Sequence, residues 1–239
     1  MIKDKKEFKE EKRAKKSAVK NSLKQEKNTF SGIGDVISKD GKTFIDGITN
    51  LPGGEFDELY IDGICNCSNG LKAHKLGVEG VFNCDGNVET DELYCEGTSN
   101  IKGNVRAKEA SIEGVTEIKG RLESDQINCE GVLRVAGEIS ADAVEARGVI
   151  FAREIVGDRI IIHSEIKSWL KPFLRPRRTV ELIEATTITL HRVDAKTVNG
   201  HDIHIEGRCN IERIDCSGTL YVDESATVQE IVGSYERKY

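Results

Sequence analysis

Seven cysteines and five histidines are the side chains of this sequence best suited to nucleophilic or metal-binding chemistry. Cys65 and Cys67 form a C-x-C pair, and alternate residues of a strand share a face, so both thiols can reach one metal ion. No second pair stands at zinc-finger spacing, and an odd number of cysteines does not describe a closed set of disulfides. We therefore predict that the cysteines fill a hydrophobic interior, and we expect no bound metal and no cofactor.

The spacing of the histidines and the absence of known catalytic motifs argue against an enzyme. His201 and His204 are three positions apart, so they face opposite sides of a strand and make a poor metal pair. The sequence lacks the phosphate-binding loop, the dinucleotide fingerprint, the nucleophile elbow, the H-E-x-x-H zinc motif and the C-x-x-C redox motif. We expect a protein that is not an enzyme and has no small-molecule substrate.

Composition favours a repetitive architecture, and the lack of apolar targeting segments favours a cytoplasmic location. Of the 239 residues, 32% are charged and only 5% are aromatic, which suits thin repeated layers better than one large core. The apolar runs are far shorter than the roughly 20 residues that a membrane-spanning helix needs. The first thirty residues are rich in Lys and Glu and lack the apolar segment of a signal peptide. These features predict a cytoplasmic protein with reduced thiols.

The net charge of −6 is distributed over three zones. Residues 1–30 contain 11 Lys/Arg against 5 Asp/Glu, and residues 166–180 contain five cations and no acid. The remainder therefore carries a charge of −17. We predict that residues 1–30 form a flexible basic tail that attracts phosphate groups, whereas the acidic body argues against specific nucleic-acid binding.

A repeat with a period of seventeen dominates the middle of the chain. Six glycines mark it: Gly63, Gly80, Gly97, Gly114, Gly131 and Gly148. Apolar residues recur four and eight positions after each glycine, and small residues recur ten positions after most of them. Apolar residues at alternate positions predict short strands, and we expect the glycines to occupy turns with positive φ. The pattern predicts an all-β, single-stranded parallel β-helix whose coils stack about 4.8 Å apart.

The repeat divides the chain into four predicted segments: a basic tail (1–30), regular coils (31–165), an insertion (166–180) and degenerate coils (181–239). In the degenerate coils, Leu190, Gly207 and Glu224 are predicted to be equivalent because the same period of seventeen separates them. Strands are expected from about residue 43 to about residue 232, and the insertion is expected to add about eight residues to one coil.

The insertion combines aromatic side chains with cations. Its candidate contact residues are Trp169, Leu170, Lys171, Phe173, Leu174, Arg175, Arg177 and Arg178. Rings beside cations are typical of an anchor on an anionic membrane, which would place the protein at the inner face of the cell membrane. A flap packed on the side of the β-helix and a patch that binds a partner protein are the alternatives.

The repeats resemble those of the bactofilins, the bacterial polymer-forming cytoskeletal proteins. The segment LYCEGTSNIKGNVRAKEASIEGVTEIKGRL carries the resemblance, together with the glycine column and with Ala73, Ala107 and Ala141. The similarity is strong over 43–165 and weak over 181–239. It implies a right-handed β-helix that joins end to end into nucleotide-independent filaments, with itself or with a paralogue. Such filaments scaffold cell-shape, envelope or motility structures.

Strand edges at the two ends of a β-helix favour the same self-assembly. The outermost layer has unpaired N–H and C=O groups, which a second chain can satisfy by adding strands. The residues expected at the ends are Phe44, Ile45, Ile48 and Phe56 at one end, and Tyr221, Val222, Ile231 and Val232 at the other. A tail folded back as a cap is the alternative to an open end. The alternative function is a β-helix adaptor that does not polymerise and binds a partner protein through the basic insertion.

Overall fold

The computed structural model describes residues 31–164 and 180–239, which consist of strands and turns without an α-helix. The strands are β1 (Ser31–Lys39), β2 (Lys42–Leu51), β3 (Gly54–Ile61), β4 (Ile64–Cys67), β5 (Leu71–Val78), β6 (Val81–Cys84), β7 (Val88–Cys95), β8 (Thr98–Ile101), β9 (Val105–Ile112), β10 (Val115–Ile118), β11 (Leu122–Cys129), β12 (Val132–Val135), β13 (Glu138–Ala146), β14 (Val149–Phe151), β15 (Glu154–His163), β16 (Val180–His191), β17 (Asp194–Glu206), β18 (Asn210–Cys216), β19 (Thr219–Val222), β20 (Thr227–Gly233) and β21 (Glu236–Arg237). In these two ranges there is no helix of the length and apolarity needed to cross a bilayer.

Parallel pairing between strands one coil apart builds the molecule. A regular coil contributes one strand of eight residues and one of four, as in β7 and β8. Leu71 of β5 pairs with Val88 of β7, and Val88 pairs with Val105 of β9, so equivalent residues are seventeen positions apart. The predicted all-β, parallel β-helix of 17-residue coils is therefore confirmed, and it comprises about eleven coils.

Alternate residues of the strands point into one continuous core. Equivalent inward positions of successive coils stack directly, as Leu76 does on Leu93, and both side chains are fully buried. All seven cysteines are buried and free, which confirms the prediction that they fill the interior. Each fully buried aliphatic side chain contributes about 1.5–3 kcal/mol, so these apolar columns are the main source of stability for the coils.

The glycine column has a different physical cause from the predicted one. Gly114 lies between β9 and β10, at a turn as expected, but the glycines with positive φ are others, such as Gly41 and Gly207. A Cβ on Gly114 would lie 2.0 Å from the carbonyl oxygen of Gly97 in the preceding coil. The corresponding distance is 2.0–2.2 Å throughout the column from Gly63 to Gly148. The expectation of positive φ is wrong, and glycine is required because successive turns stack too closely for a side chain.

The first coil is covered by a strand that the repeat does not predict. β1 pairs with β2 in the antiparallel sense along its whole length. The turn between them consists of Asp40 and Gly41, with φ of 51° and 77°, which is the left-handed conformation that two-residue hairpin turns favour. Residues 31–39 are thus not part of a regular coil, and strands begin at Ser31 rather than near residue 43. The hairpin forms because its short turn lets the chain fold back onto the otherwise open edge of β2.

The C-terminal coils differ in length from the regular ones. Across the insertion, Ile155 of β15 pairs with Ile183 of β16, twenty-eight positions later, so this coil is longer than the predicted insertion allows. Leu190 of β16 pairs with Ile205 of β17, fifteen positions later, which contradicts the predicted equivalence of Leu190 with Gly207. β16 and β17 are continuous strands of 12 and 13 residues, so these coils need fewer turn residues. A spacing of seventeen returns between β17 and β19.

Candidate interaction surfaces

The C-terminal end of the β-helix presents strands with an open edge. β20 pairs with β18 and β21 pairs with β19, and in the described part of the chain no strand lies on their outer side. The last strand reaches Arg237, beyond the predicted limit near residue 232. The N–H of Thr227 donates to the carbonyl of Cys209 (2.8 Å), so strand alternation directs the N–H of Val228 outward. This edge can accept a further strand from another chain.

Four predicted end residues lie in or beside this edge. Ile231 and Val232 belong to β20 and are half-buried. Tyr221 and Val222 lie one coil inward, in the part of β19 that β21 does not pair with. The ring of Tyr221 stacks on His204, with centroids 4.3 Å apart, so it lies on the side of the β-helix rather than at its end.

The N-terminal end differs from the prediction. Phe44 and Ile45 are buried, with 7% and 1% of their surface exposed, and Phe44 stacks on Tyr60 at a centroid distance of 5.0 Å. Both side chains are buried within the first coil, and β1 occupies the edge of their strand, so they are not part of an exposed end surface. Phe56 is half-buried against the core.

Exposed apolar side chains are concentrated near the N-terminal end. Ile33, Ile48 and Ile64 are 85%, 48% and 38% exposed. Ile33 pairs with Ile48 across the hairpin and Ile48 pairs with Ile64 of the next coil, so the three form one isoleucine strip. Adjacent exposed aliphatic side chains of this kind favour contact with another molecule. Of the predicted N-terminal end residues, Ile48 is the one that this strip makes available.

A groove of about 610 Å³ runs along one face of the regular coils. Its lining includes the column of small residues noted in the sequence, namely Ala73, Thr90, Ala107, Ser124 and Ala141. Charged side chains from the flanking columns also line it, with ion pairs between coils such as Lys72–Glu89 (3.0 Å) and Lys108–Asp91 (2.8 Å). Hydrogen bonds from Lys108 and His74 lower the pKa of Asp91. The small side chains and mixed charges of this groove suit an extended polar chain.

Both thiols of the C-x-C pair are buried and free, and His201 and His204 have different partners. Burial raises the pKa of Cys65 to about 12, so this thiol stays protonated at neutral pH and is a poor nucleophile and metal ligand. Nδ1 of His201 lies 3.1 Å from Oγ of Ser217, whereas Nε2 of His204 lies 3.0 Å from Oε1 of Glu206. The two histidines contact different partners, as their three-residue spacing predicts.

Asparagine side chains form a hydrogen-bonded ladder that we did not predict from the sequence. Nδ2 of Asn66 donates to Oδ1 of Asn50 (3.1 Å), Asn83 donates to Asn66 (2.9 Å), and Asn100 donates to Asn83 (3.0 Å). Asn66, Asn83 and Asn100 are seventeen positions apart, so the period that relates the glycines also relates these residues. Amide ladders of this kind hold identical strands in register, which indicates a structural role.

The predicted contact residues of the insertion lie outside the described residues. Trp169, Leu170, Lys171, Phe173, Leu174, Arg175, Arg177 and Arg178 all fall within 165–179, and the basic tail falls within 1–30. The interaction surfaces found among the described residues are the open C-terminal edge, the isoleucine strip and the groove.

No family model, curated protein or solved structure matches this chain.

Proposed function

We propose that this protein is a non-enzymatic structural scaffold of the bactofilin type, which assembles with itself or with a paralogue through the ends of its β-helix and without nucleotide. The observation that carries the proposal is the open edge of β20 and β21. An unpaired edge is a template for strand addition, and soluble proteins usually cover or charge it. The bactofilin-like repeat of the sequence supports the same function.

The length and regularity of the β-helix suit a scaffold. Each coil contacts only its neighbours, so the same packing can extend in one dimension. About eleven coils at about 4.8 Å each make a unit on the order of 50 Å long. Strand addition between chains would continue the backbone ladder that already joins the coils.

Two different self-contacts would produce a filament. A symmetric contact between two β20 edges pairs them antiparallel, because a two-fold axis reverses the strand direction. The isoleucine strip of Ile33, Ile48 and Ile64 offers a second contact near the opposite end. Alternation of these two contacts gives an unbranched filament without polarity.

The filament is proposed to lie in the cytoplasm at the inner face of the cell membrane. The support for this is compositional: the basic tail (1–30) and the insertion (166–180) both carry an excess of cations, and the insertion adds Trp169 and Phe173. Cations near an anionic lipid surface contribute about 1 kcal/mol each. Cell-shape, envelope or motility structures would be the clients of such a filament.

Negative-stain electron microscopy of the purified chain without nucleotide tests the proposal. Val228→Pro removes the outward N–H of β20, and Val228→Ala is the matched control that loses packing but keeps this N–H. We expect filaments from the wild type and from Val228→Ala, and short particles from Val228→Pro. Circular dichroism verifies that all three fold. Discrete wild-type particles at both low and high salt would refute polymerisation, and filaments of Val228→Pro would refute the assigned contact.

The second candidate is a β-helix adaptor that does not polymerise and binds a partner protein through its basic insertion, and the groove offers this partner a further contact. The small side chains and mixed charges of the groove suit an extended polar segment of a partner protein. The adaptor hypothesis predicts that the protein is a monomer or dimer in every buffer. Sedimentation velocity measures this oligomeric state. It also predicts that replacing Arg175, Arg177 and Arg178 abolishes partner capture while the sedimentation coefficient stays unchanged.

A further inference from the structure

The register of the C-terminal coils brings two imidazoles and a carboxylate together. His163 ends β15, His191 ends β16 and Glu206 ends β17. His163 pairs with His191, and His191 pairs with Glu206, so the three occupy one column on successive coils. One ligand atom from each residue lies within 4.8 Å of the other two. The two imidazole rings are stacked, with centroids 5.8 Å apart.

Neighbouring residues hold this column in place. A Cβ on Gly207 would lie 2.7 Å from Cε1 of His191, so the missing side chain at Gly207 makes room for the imidazole. His204 contacts the carboxylate of Glu206 at 3.0 Å and stacks on Tyr221. Proteins commonly orient metal ligands through such contacts from an outer residue. The three column residues are half-buried, so they are partly shielded from water and still accessible to an ion.

We propose that His163, His191 and Glu206 bind a zinc ion. Two nitrogens and one carboxylate oxygen are a ligand set that Zn²⁺ accepts, with a fourth tetrahedral position open to water. Bonds of about 2.0–2.2 Å bring tetrahedral ligand atoms to about 3.3 Å from one another, so the ligand atoms must approach by at most roughly 1.5 Å. Rotation of the side chains between rotamers supplies this movement.

The ion joins three consecutive coils where the repeat is least regular. His191 lies twenty-eight positions after His163 and fifteen before Glu206, so the period of seventeen does not maintain the register there. A metal bridge between the strand ends fixes it instead. Zinc bound here therefore links three coils, and this link does not depend on whether the chain forms filaments.

Another column of the β-helix also contains a histidine, but its residues differ from those of this arrangement. His74 lies 2.8 Å from Asp91, and Asp91 lies 2.8 Å from Lys108, so that column ends on an ammonium group, which cannot bind a metal ion. In the zinc column, all three residues are instead electron-pair donors and none is an ammonium group, which is the arrangement that a shared cation requires.

Isothermal titration calorimetry with ZnCl₂ on the purified, chelator-treated chain tests the site. The wild type is expected to bind one zinc ion per chain here, and His163→Asn/His191→Asn and Glu206→Gln are each expected to bind it at least about 100-fold more weakly. His74→Asn is the matched control and should bind like the wild type. Unchanged affinity in both site variants, or no binding by the wild type, overturns the proposal.

Two further readouts distinguish this site from the cysteines and from loss of folding. Cobalt in place of zinc should give weak visible bands without the intense near-ultraviolet band of thiolate ligation, and a thiolate band would overturn the assignment. Zinc should raise the thermal unfolding midpoint of the wild type and of His74→Asn but not that of Glu206→Gln. Circular dichroism of the zinc-free variants confirms that Glu206→Gln remains folded, and an equal zinc-induced shift in this variant would also overturn the proposal.

Discussion

Replacement of Gly114 by alanine tests the stacking of the turns directly. The new Cβ would lie 2.0 Å from the carbonyl oxygen of Gly97 and 2.3 Å from that of Glu96. Carbon and carbonyl oxygen atoms in favourable contact are about 3.3 Å apart. Because both obstacles are backbone atoms, neither can rotate away, and the two coils must separate by roughly 1.3 Å at this turn.

The expected loss in the free energy of unfolding follows from the hydrogen bonds that cross the turn. Gly114 donates its N–H to the carbonyl of Cys95 (3.0 Å), and Val115 donates to that of Gly97 (2.9 Å). A separation of more than about 1 Å breaks both bonds, each worth about 0.5–1.5 kcal/mol net, and a stranded buried polar group costs about 1–3 kcal/mol. We expect Gly114→Ala to lower the free energy of unfolding by about 3–5 kcal/mol.

Gly70→Ala is the matched control for this measurement. Gly70 also lies at a turn, between β4 and β5, but a Cβ there would lie 3.2 Å from its nearest neighbour, the carbonyl oxygen of Asn87. We expect its free energy of unfolding to change by less than about 1 kcal/mol. Urea unfolding followed by circular dichroism measures both variants. Equal midpoints for Gly114→Ala and Gly70→Ala would refute the conclusion that close approach selects glycine.

Four further predictions concern the core, the thiols, one carboxylate and the insertion. Val105→Asp should abolish the β-sheet circular dichroism signal because the buried charge has no partner, whereas Arg106→Gln on the outer face should preserve it. A thiol reagent should label the seven buried cysteines slowly in the native chain and all of them rapidly in urea. Hydrogen bonds from the next coil lower the pKa of Asp202, so its stabilising effect is present above the unfolded-state pKa of about 3.9 and is lost as pH falls through the lower folded-state pKa. The difference in thermal midpoint between the wild type and Asp202→Ala should therefore be largest near neutral pH and disappear in strong acid. Replacement of Trp169 and Phe173 by alanine should preserve folding and weaken cosedimentation with anionic vesicles.

Each of these predictions has a clear contrary result. A folded Val105→Asp variant would contradict the inward orientation of that column, and fast labelling of native thiols would contradict their burial. A pH-independent difference between the wild type and Asp202→Ala would show that the carboxylate charge is not what stabilises the fold. Loss of folding on replacing Trp169 and Phe173 would assign the insertion to the core.

The regular coils could be predicted because one periodic signal defines them. In a parallel ladder each residue lies over its equivalent in the neighbouring coil, and a slip of one position would turn every side chain to the wrong face. The regularly spaced column from Gly63 to Gly148 therefore indicated the fold and its register. The sequence did not indicate why glycine is needed, because the approach of two turns is visible only once the coils are stacked.

The ends and the C-terminal coils could not be predicted in the same way. β1 has no equivalent one period further along the chain, since an antiparallel hairpin pairs near neighbours and interrupts the repeat. Leu190 and Gly207 fitted the expected spacing, but the continuous strands β16 and β17 shorten that coil and pair Leu190 with Ile205. Short coils and long coils contain the same alternation of apolar residues, so the alternation alone does not distinguish them.

The amino-acid sequence by itself determined the β-helix, its period of seventeen and the residues that fill its interior, because strand alternation and ladder pairing are local and repetitive. Only the tertiary structure decided how the first coil is covered, which apolar side chains remain exposed, and that His163, His191 and Glu206 meet. The two intervals between these three residues are unequal, so no constant period relates them. Their meeting depends on coil length, which is set by packing and not by the repeat.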